Sequence, residues 1–184
     1  MKDIPIAFIG GGNMARSLIG GLLSSGSNPD NIWVAEPDAG HRELLRGRFG
    51  VHTGADNREI AARATLVVLA VKPQVLRPVA EELAATVQAH QPLVLSIAAG
   101  VREPDLRRWL GAETAIVRTM PNTPALVGSG ATALFANPRV SEVQRQLAES
   151  VMRSVGLTVW VEQERMLDAV TALSGSGPAY FFLL

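Results

Sequence analysis

The stretch Phe8–Ala15, FIGGGNMA, places three consecutive glycines between an apolar segment and a helix-like segment. Glycine costs backbone entropy on folding, so such a run indicates a tight turn or the close approach of another group. Its spacing, Gly10-x-Gly12-x-x-Ala15, fits a dinucleotide-binding fingerprint in its alanine-ending form. In that fingerprint Gly10 makes the turn, Gly12 lets the backbone approach a pyrophosphate, and Ala15 lets the helix pack on the strand. The stretch therefore predicts a strand, a phosphate-facing turn and a helix.

An acidic residue, Glu36, ends the second strand-like segment at the distance expected for a ribose partner. Its carboxylate can accept hydrogen bonds from the adenosine ribose hydroxyls of NADH. It would repel a 2′-phosphate by up to about 4 kcal/mol at about 4 Å and an effective dielectric constant of about 20. Arg42 lies within one helical turn, so the sequence favours NADH and leaves NADPH open. The alternative interpretation of Glu36 is an exposed charge at a strand end.

Strand-like and helix-like segments alternate along residues 4–119. Strands buried on both faces of a parallel sheet are continuous apolar runs, and LVVLAV (66–71) and PLVLSI (92–97) have that composition. The alternation predicts an α/β fold of the Rossmann type with a doubly wound, mostly parallel sheet. The predicted strands are 4–9, 32–35, 51–53, 66–71, 92–97 and 115–119, and the predicted helices are 14–25, 38–48, 57–63, 74–87 and 104–110.

The pattern changes after residue 128. Segments 130–136 and 157–161 have strand composition and flank a predicted helix at 141–153. We expect both strands to extend the sheet at its edge. The apolar residues expected to share the buried face of the helix are Val143, Leu147 and Val151.

The chain is expected to divide into a dinucleotide-binding domain at 1–162 and the first helical segment of a second domain at 163–184. A helix begins within 162–173, and the glycines and serines of 174–178 interrupt it. Residues 179–184 read AYFFLL, and a chain rarely exposes so many large apolar side chains together. We expect this ending to be a helix cut from a second domain that is otherwise missing.

Composition excludes several functional classes. The 184 residues are 47% hydrophobic with a formal net charge of zero, which gives no electrostatic reason to expect nucleic acid or an anionic membrane as a partner. The sequence has no cysteine, and His41, His52 and His90 are not spaced as metal ligands, so no metal site is expected. No signal-peptide layout or membrane-length apolar run is present, and we expect a cytoplasmic protein.

Four further stretches fall where predicted strands end or where the last helix is interrupted: AVKPQ (70–74), SIAAGV (96–101), RTMPNTP (118–124) and LSGSGPAYFF (173–182). Together with IGGGNMA (9–15), they make the sequence resemble the pyrroline-5-carboxylate reductase family, the last enzymes of proline biosynthesis. The resemblance covers essentially all 184 residues in order. The first three stretches lie at the carboxyl ends of predicted parallel strands, where open α/β sheets bind ligands.

The resemblance implies a role for each matching position. It implies a phosphate loop and adenosine-side contacts formed by Ile9, Gly10, Gly11, Gly12, Asn13, Met14, Ala15, Glu36 and Asn57. It implies that the nicotinamide-ribose side is lined by Ala70, Val71, Lys72, Pro73, Ala98, Ala99 and Gly100. It implies that the vicinity of the nicotinamide and the substrate contains Met120, Asn122, Thr123, Ser174, Gly175, Ser176 and Gly177.

Several of these positions also have a purely structural interpretation. Lys72 would offer an ammonium group to the negatively charged cofactor, or it is an exposed lysine at a strand end. The loop 120–124 would lie near the nicotinamide, or it is a turn fixed by its two prolines. The turn at Ser174–Gly177 is expected to open a helix whose free N–H groups suit the substrate carboxylate, and a close packing contact is the alternative.

The family reaction transfers a hydride from C4 of the reduced nicotinamide to the C=N carbon of 1-pyrroline-5-carboxylate and gives L-proline. A cyclic imine is protonated readily, so no strong general acid is required. The sequence shows no Ser/His/Asp set and no paired carboxylates, and no catalytic residue is predicted. The expected contribution of the protein is to position two bound partners.

The resemblance also implies a C-terminal helical domain that forms an intertwined homodimer or higher oligomer and supplies a substrate loop. A polypeptide of these 184 residues would then bind NADH or NADPH and lack a complete active site. Two alternatives stay open. One is another NAD(P)-dependent reductase of the imine or β-hydroxyacid type, and the other is a non-catalytic dinucleotide-sensing module.

Overall fold

A computed structural model describes residues 4–178. The predictions made for 1–3 and for the apolar ending at 179–184 lie outside the described residues. Within the described part, one sheet contains eight strands. They are β1 (Ile6–Ile9), β2 (Ile32–Ala35), β3 (His52–Gly54), β4 (Leu66–Leu69), β5 (Leu93–Ser96), β6 (Ile116–Met120), β7 (Gly130–Ala136) and β8 (Gly156–Trp160).

Helices connect most of the strands. They are α1 (Asn13–Ser24), α2 (Ala39–Phe49), α3 (Asn57–Ala61), α4 (Pro73–His90), α5 (Glu103–Leu110), α6 (Glu142–Arg153) and α7 (Met166–Val170). Short 3-10 turns cover Pro29–Asn31 and Thr123–Val127, and a π-helical segment, Thr171–Ser176, follows α7 directly. In residues 4–178, no helix is long and apolar enough to cross a membrane. The cytoplasmic location stays a prediction.

The strand order is β3-β2-β1-β4-β5-β6-β7-β8. β1 pairs in parallel with both β2 and β4, so the direction of winding reverses between β1 and β4. β7 is antiparallel to β6, and β8 is parallel to β7. The predicted Rossmann-type, mostly parallel sheet is therefore confirmed, and 130–136 and 157–161 extend its edge as expected.

Two apolar layers cover the two faces of the sheet. On one face, Leu18 and Leu22 of α1 and Val151 of α6 pack against Phe8. On the other face, residues of α3, α4 and α5, among them Leu83, pack against the opposite side of the central strands. The helices on both sides explain why the central strands are apolar throughout.

One residue of α6 differs from the prediction. Leu147 and Val151 are buried, but Val143 is 76% exposed. The buried stripe also contains Ala148 and Met152, so its centre lies about 110° around the helix from Val143 at about 100° per residue. A spacing of four residues predicted Val143 on the buried stripe. Four residues exceed one helical turn, so successive positions shift around the helix and Val143 lies outside the stripe.

The sheet ends at Trp160, and α7 begins at Met166. The predicted boundary near residue 162 falls in the connection between them. The division of the chain into two domains stays a prediction.

Candidate functional site

The loop after β1 turns at Gly10, where φ is +100°. A Cβ atom at this position would lie 2.9 Å from the carbonyl oxygen of Ala70, which follows β4. Glycine is therefore required both by the backbone conformation and by the approach of the neighbouring loop. Because β1 and β4 flank the point where the winding reverses, this contact lies where open α/β sheets bind ligands.

Gly12 lies at the amino end of α1 and faces open space. It is the N-cap residue, with φ −68°, and no side chain caps the helix there. A Cβ atom at Gly12 would meet no atom within 4 Å, and the first turn of α1 carries no acidic residue. The first N–H groups of the helix and its dipole thus suit an anion such as a pyrophosphate.

Gly11 joins the loop to the end of β2. Its N–H donates a hydrogen bond of 3.0 Å to Oε2 of Glu36. A Cβ atom at Gly11 would lie 2.7 Å from Cδ1 of Leu45 and 3.2 Å from that same carboxylate oxygen. A side chain at Gly11 would therefore force Leu45 or Glu36 to shift, a constraint that the fingerprint does not indicate.

The Glu36 carboxylate has two backbone partners in the structure. Besides Gly11, the N–H of Asp38 donates 3.1 Å to its Oε1 atom. His41 Nδ1 lies 4.0 Å from Oε1. Arg42 donates to the carbonyl oxygens of Glu36, at 2.8 Å, and Pro37, at 2.7 Å. A carboxylate has about four acceptor positions, so Glu36 keeps capacity for a ribose hydroxyl.

Asn57 begins α3, which Asp56 caps. The N–H groups of Arg58 and Glu59 donate to Oδ1 of Asp56 at 2.8 and 3.1 Å, and these bonds lower the pKa of that carboxyl group. The Asn57 side chain donates 3.0 Å to Oε2 of Glu82 on α4. Because Glu82 can only accept, this bond leaves the amide oxygen of Asn57 as its free acceptor.

The segments after β4 and β5 lie at the same edge of the sheet as the glycine loop. The N–H of Ala70 donates 2.9 Å to the Ile9 carbonyl. Lys72 is exposed and is the N-cap residue of α4, whose first residue is Pro73. After β5, Ala98 is buried, whereas 99–100 are exposed.

The segment after β6 is tied to its neighbours by side chains. Thr119 donates its hydroxyl to the Ser96 carbonyl at 3.1 Å, which links β6 to β5. The Asn122 side chain accepts 2.9 Å from the N–H of Ala131 on β7. Thr123 starts the 3-10 turn that follows. Asn122 therefore has a structural bond in addition to any ligand contact.

Metal ligands do not cluster in the part of the chain that the structure covers. No group of three or more His, Asp or Glu side chains among residues 4–178 could hold a metal ion. The arrangement offers instead a helix terminus suited to an anion, acceptors at the ends of β2 and β3, and the segments after β4, β5 and β6.

The sequence matches, over residues 5–100, the family described as NADP oxidoreductase coenzyme F420-dependent. It is 48% identical to the pyrroline-5-carboxylate reductase of Pseudomonas aeruginosa over 184 residues, which are 100% of this chain and 67% of that protein. The chain belongs to the pyrroline-5-carboxylate reductase family.

Solved structures of pyrroline-5-carboxylate reductases superpose closely on this chain. The enzyme from Coxiella burnetii is 48% identical with a TM-score of 0.95, and the match covers 98% of this chain and 67% of that one. The Plasmodium falciparum enzyme, solved with NADP bound, is 28% identical with a TM-score of 0.86 and matches 100% of this chain and 66% of its own. This chain spans about two thirds of the length of these reductases.

The local structure at Ser174–Gly177 corrects one expectation drawn from the sequence. The segment does not open a helix, because α7 continues through the π-helical segment into 177–178. Ser174 donates its hydroxyl to the Val170 carbonyl at 3.0 Å, within the same helix. The backbone at Ser174–Gly177 is therefore not a helix N-terminus, and the argument for binding a carboxylate there by free N–H groups fails.

The packing alternative for that segment is supported by Gly175. A Cβ atom at Gly175 would lie 2.9 Å from Cε of Met120, so glycine permits close approach to the end of β6. The contact brings together two stretches that are 55 residues apart and that the family resemblance places near the substrate. Segments of π-helix are rare and occur frequently at functional sites.

Sequence reasoning missed three features of this site. They are the bond from Gly11 to Glu36, the bond from Asn57 to Glu82, and a buried pair formed by Arg118 with Glu164. Each partner is distant in sequence, so no local period reveals it. The one available signal was Arg118 itself, a charge within a strand whose other residues suit a buried position.

Proposed function

We propose that the protein is an NAD(P)H-dependent reductase that converts 1-pyrroline-5-carboxylate to L-proline. Membership of the reductase family supports the reaction. The structural observation that carries the proposal is the open amino end of α1 at Gly12, beside the contact of Gly10 with Ala70. A dinucleotide pyrophosphate fits there because the helix terminus has neither a side-chain cap nor an acidic residue in its first turn.

The bound cofactor would supply the hydride that adds to the C=N carbon of the imine. The protonated imine accepts the hydride and becomes the secondary amine of proline, so the balance requires no proton from a side chain. The residues of this chain hold the phosphates at 10–15 and present the loops after β4, β5 and β6 to the nicotinamide end. Met120, Asn122 and Thr123 would lie nearest the reacting carbon, where they position the substrate and exclude water.

We further propose that the protein prefers NADH to NADPH. Glu36 places a carboxylate beside the glycine loop, and the Asn57 amide donates to Glu82, which leaves its oxygen as an acceptor. Arg42, the nearest arginine on α2, already donates to two backbone carbonyls. Acceptors suit a ribose diol, whereas a 2′-phosphate would meet a like charge.

Assembly with a second copy stays a prediction that exposed apolar side chains support. Leu157 and Val159 on β8 and Leu173 in the π-helical segment are exposed by more than half of their surface. Alternating positions on β8 point to one face of the sheet, so Leu157 and Val159 form a continuous apolar strip. We propose that this strip is covered in the assembled protein.

The decisive experiment follows oxidation of NADH and NADPH in the presence of 1-pyrroline-5-carboxylate. This chain and a chain of the full length of its relatives are compared, and cofactor binding is measured separately by nicotinamide fluorescence. Turnover by the longer chain supports the proposed reaction. Binding of cofactor without turnover by either chain contradicts it and favours the dinucleotide-sensing alternative. Turnover by the 184-residue chain, without the additional residues of the longer chain, contradicts the expectation that its site is incomplete.

A further inference from the structure

The buried arginine of β6, Arg118, is not among the residues assigned above to the cofactor or the substrate. The side chain of Arg118 is only 5% exposed, and its guanidinium forms an ion pair with Oε1 of Glu164, whose side chain is 21% exposed. Glu164 lies in the connection between β8 and α7. A buried arginine is uncommon unless it is paired. The pair therefore couples the position of β6 to that of the connection before α7.

Glu164 is held by a second bond from another helix. The N–H of Glu103, the first residue of α5, donates 2.6 Å to the same Oε1 atom. The Glu103 side chain in turn accepts 2.9 Å from Nδ2 of Asn137, which follows β7. The connection before α7 is therefore attached to β6, to α5 and, through α5, to the end of β7.

The pair lies on the same side of β6 as the contact with the π-helical segment. Residues two apart on a strand point to the same face, so Arg118 and Met120 share a face while Thr119 points to the other. Arg118 holds Glu164 before α7, and Met120 contacts Gly175 after it. One face of β6 thus contacts the helical segment at both of its ends.

Few apolar side chains of the segment 166–176 are buried, so apolar packing alone holds it weakly against the rest of the fold. Among residues 166–176, Leu167 is the one buried residue. Arg102 and Asp168 also approach, at 3.6 Å, but both side chains are more than half exposed and such pairs contribute little. The Arg118–Glu164 pair and the Glu103 amide therefore hold the chain two residues before α7 begins.

We propose that Arg118 and Glu164 are positioning residues that seat α7 and the π-helical segment against the substrate end of β6. The inference rests on the proposed function, because it assumes that the imine binds beside Met120 and Gly175. Loss of the pair displaces the substrate side of the site and leaves the glycine loop on β1 untouched. The effect therefore falls on the KM for the imine and spares cofactor binding.

The test uses the full-length enzyme with Arg118→Met, Glu164→Gln and the double variant. We expect the KM for 1-pyrroline-5-carboxylate to rise about ten- to a hundredfold, since small displacements of bound groups have effects of this size. We expect the dissociation constant for the nicotinamide cofactor to stay within about twofold of the wild-type value. The double variant leaves no unpaired buried charge, so it is expected to fold where a single variant does not.

Hydrogen exchange supplies a readout that does not depend on turnover. Amides of 166–177 are expected to lose protection in the double variant, while those of β1 and β4 keep theirs. Arg139→Met is the matched control, because it removes an arginine from the exposed pair with Glu113, which also joins distant segments. Arg118→Lys keeps the charge, and partial recovery of the KM is expected.

Two outcomes would overturn the inference: a double variant with the wild-type KM and exchange pattern, or a KM and a cofactor dissociation constant that rise together. The second result would indicate general destabilisation. If the wild-type enzyme does not reduce the imine, the proposed function fails, and the exchange measurement still decides whether the pair seats α7.

Discussion

The N–H of Gly11 donates a 3.0 Å hydrogen bond to Oε2 of Glu36. The bond joins the glycine loop, which we propose binds the phosphates, to the residue that we propose binds the adenosine ribose. A change at Glu36 therefore affects two parts of the cofactor site, namely the charge at the ribose and the support of the loop. The two effects are separable by experiment.

Glu36→Ser is expected to raise the ratio of kcat/KM for NADPH to that for NADH by about ten- to a hundredfold. The change removes a carboxylate that repels a 2′-phosphate, and this ratio corresponds to part of the estimated repulsion. Steady-state kinetics with both cofactors measure the ratio. Glu43→Gln is the control, since Glu43 lies on the helix that follows, α2, and is exposed. An equal shift in both variants would contradict a specific role for Glu36.

The same variant is expected to lower the free energy of unfolding by about 1–3 kcal/mol, because the amides of Gly11 and Asp38 lose their acceptor. Urea unfolding without cofactor measures this effect. An unchanged midpoint would mean that water or another group replaces the carboxylate at no cost.

Gly12→Ala is expected to weaken cofactor binding at least about tenfold, or about 1.4 kcal/mol, while the free energy of unfolding changes by less than about 0.5 kcal/mol. The added Cβ meets no protein atom but projects where a pyrophosphate approaches. Cofactor titration by fluorescence and thermal unfolding measure the two quantities.

Gly10→Ala serves as the comparison, because it is expected to lower the free energy of unfolding. Its Cβ would approach the Ala70 carbonyl at a backbone φ of +100°, which costs about 1–3 kcal/mol in conformational strain alone. Equal stability losses in the two alanine variants would contradict the assignment of Gly12 to the ligand side.

Gly156→Ala is expected to destabilise the protein by at least about 3 kcal/mol. Gly156 begins β8 with φ +149°, and its Cβ would overlap the backbone of Gly130, its partner at the start of β7. Gly128→Ala is the control, because Gly128 has φ +72° with open space around it and is expected to cost only about 1–2 kcal/mol. Chemical denaturation of both variants separates steric overlap from backbone strain.

The stability of the α6–β8 contact is expected to depend on pH through Glu149. Trp160 Nε1, the Arg153 guanidinium and the Thr158 hydroxyl all donate to its carboxylate, and these bonds, that from Trp160 foremost, lower the pKa of Glu149 from its ordinary value. A carboxyl group whose pKa is lowered by folding stabilises above its unfolded pKa of about 4.3. That stabilisation is lost as the pH falls through the lowered folded value.

Glu149→Gln is therefore expected to lose about 1–2 kcal/mol at about pH 7, with the difference from the wild type shrinking in acid. Urea unfolding between about pH 7 and pH 3 measures the difference. Glu142→Gln removes a more exposed charge from the same helix and controls for the change in net charge. A constant difference at all pH values would show that the ionised carboxylate is not the stabilising form.

The fold was predictable because its signals are local. Continuous apolar runs marked β4 and β5, and the glycine spacing marked the turn after β1. The turn at Gly10, with φ +100°, was predicted from the same local signal, and the phosphate-side role of Gly12 stays a prediction. The family resemblance, drawn from five short stretches, is confirmed by the comparisons with known reductases.

The remaining features depend on tertiary contacts. Glycine and serine at 174–177 predicted a break, but each costs at most about 1 kcal/mol inside a helix. The absence of a side chain at Gly175 lets Met120 approach the π-helical segment closely. Arg118 and Glu164 are 46 residues apart, and only the folded chain brings them together. Contacts of this kind join segments that are distant in sequence, so no local pattern predicts them.

The reversal of direction at β7 determines how the last helix reaches the ligand edge. β7 is antiparallel to β6 and β8 follows its direction; Leu134 of β7 pairs with Thr119 on one side and with Trp160 on the other, so the chain leaves the sheet level with the carboxyl end of β6. It then passes through the connection 161–165 and α7 before Gly175 reaches Met120. Insertion or deletion of one residue in the connection 161–165 would therefore shift this helix along the strand and change which residue meets Met120. We therefore expect the length of the connection 161–165 to determine which part of the π-helical segment contacts Met120.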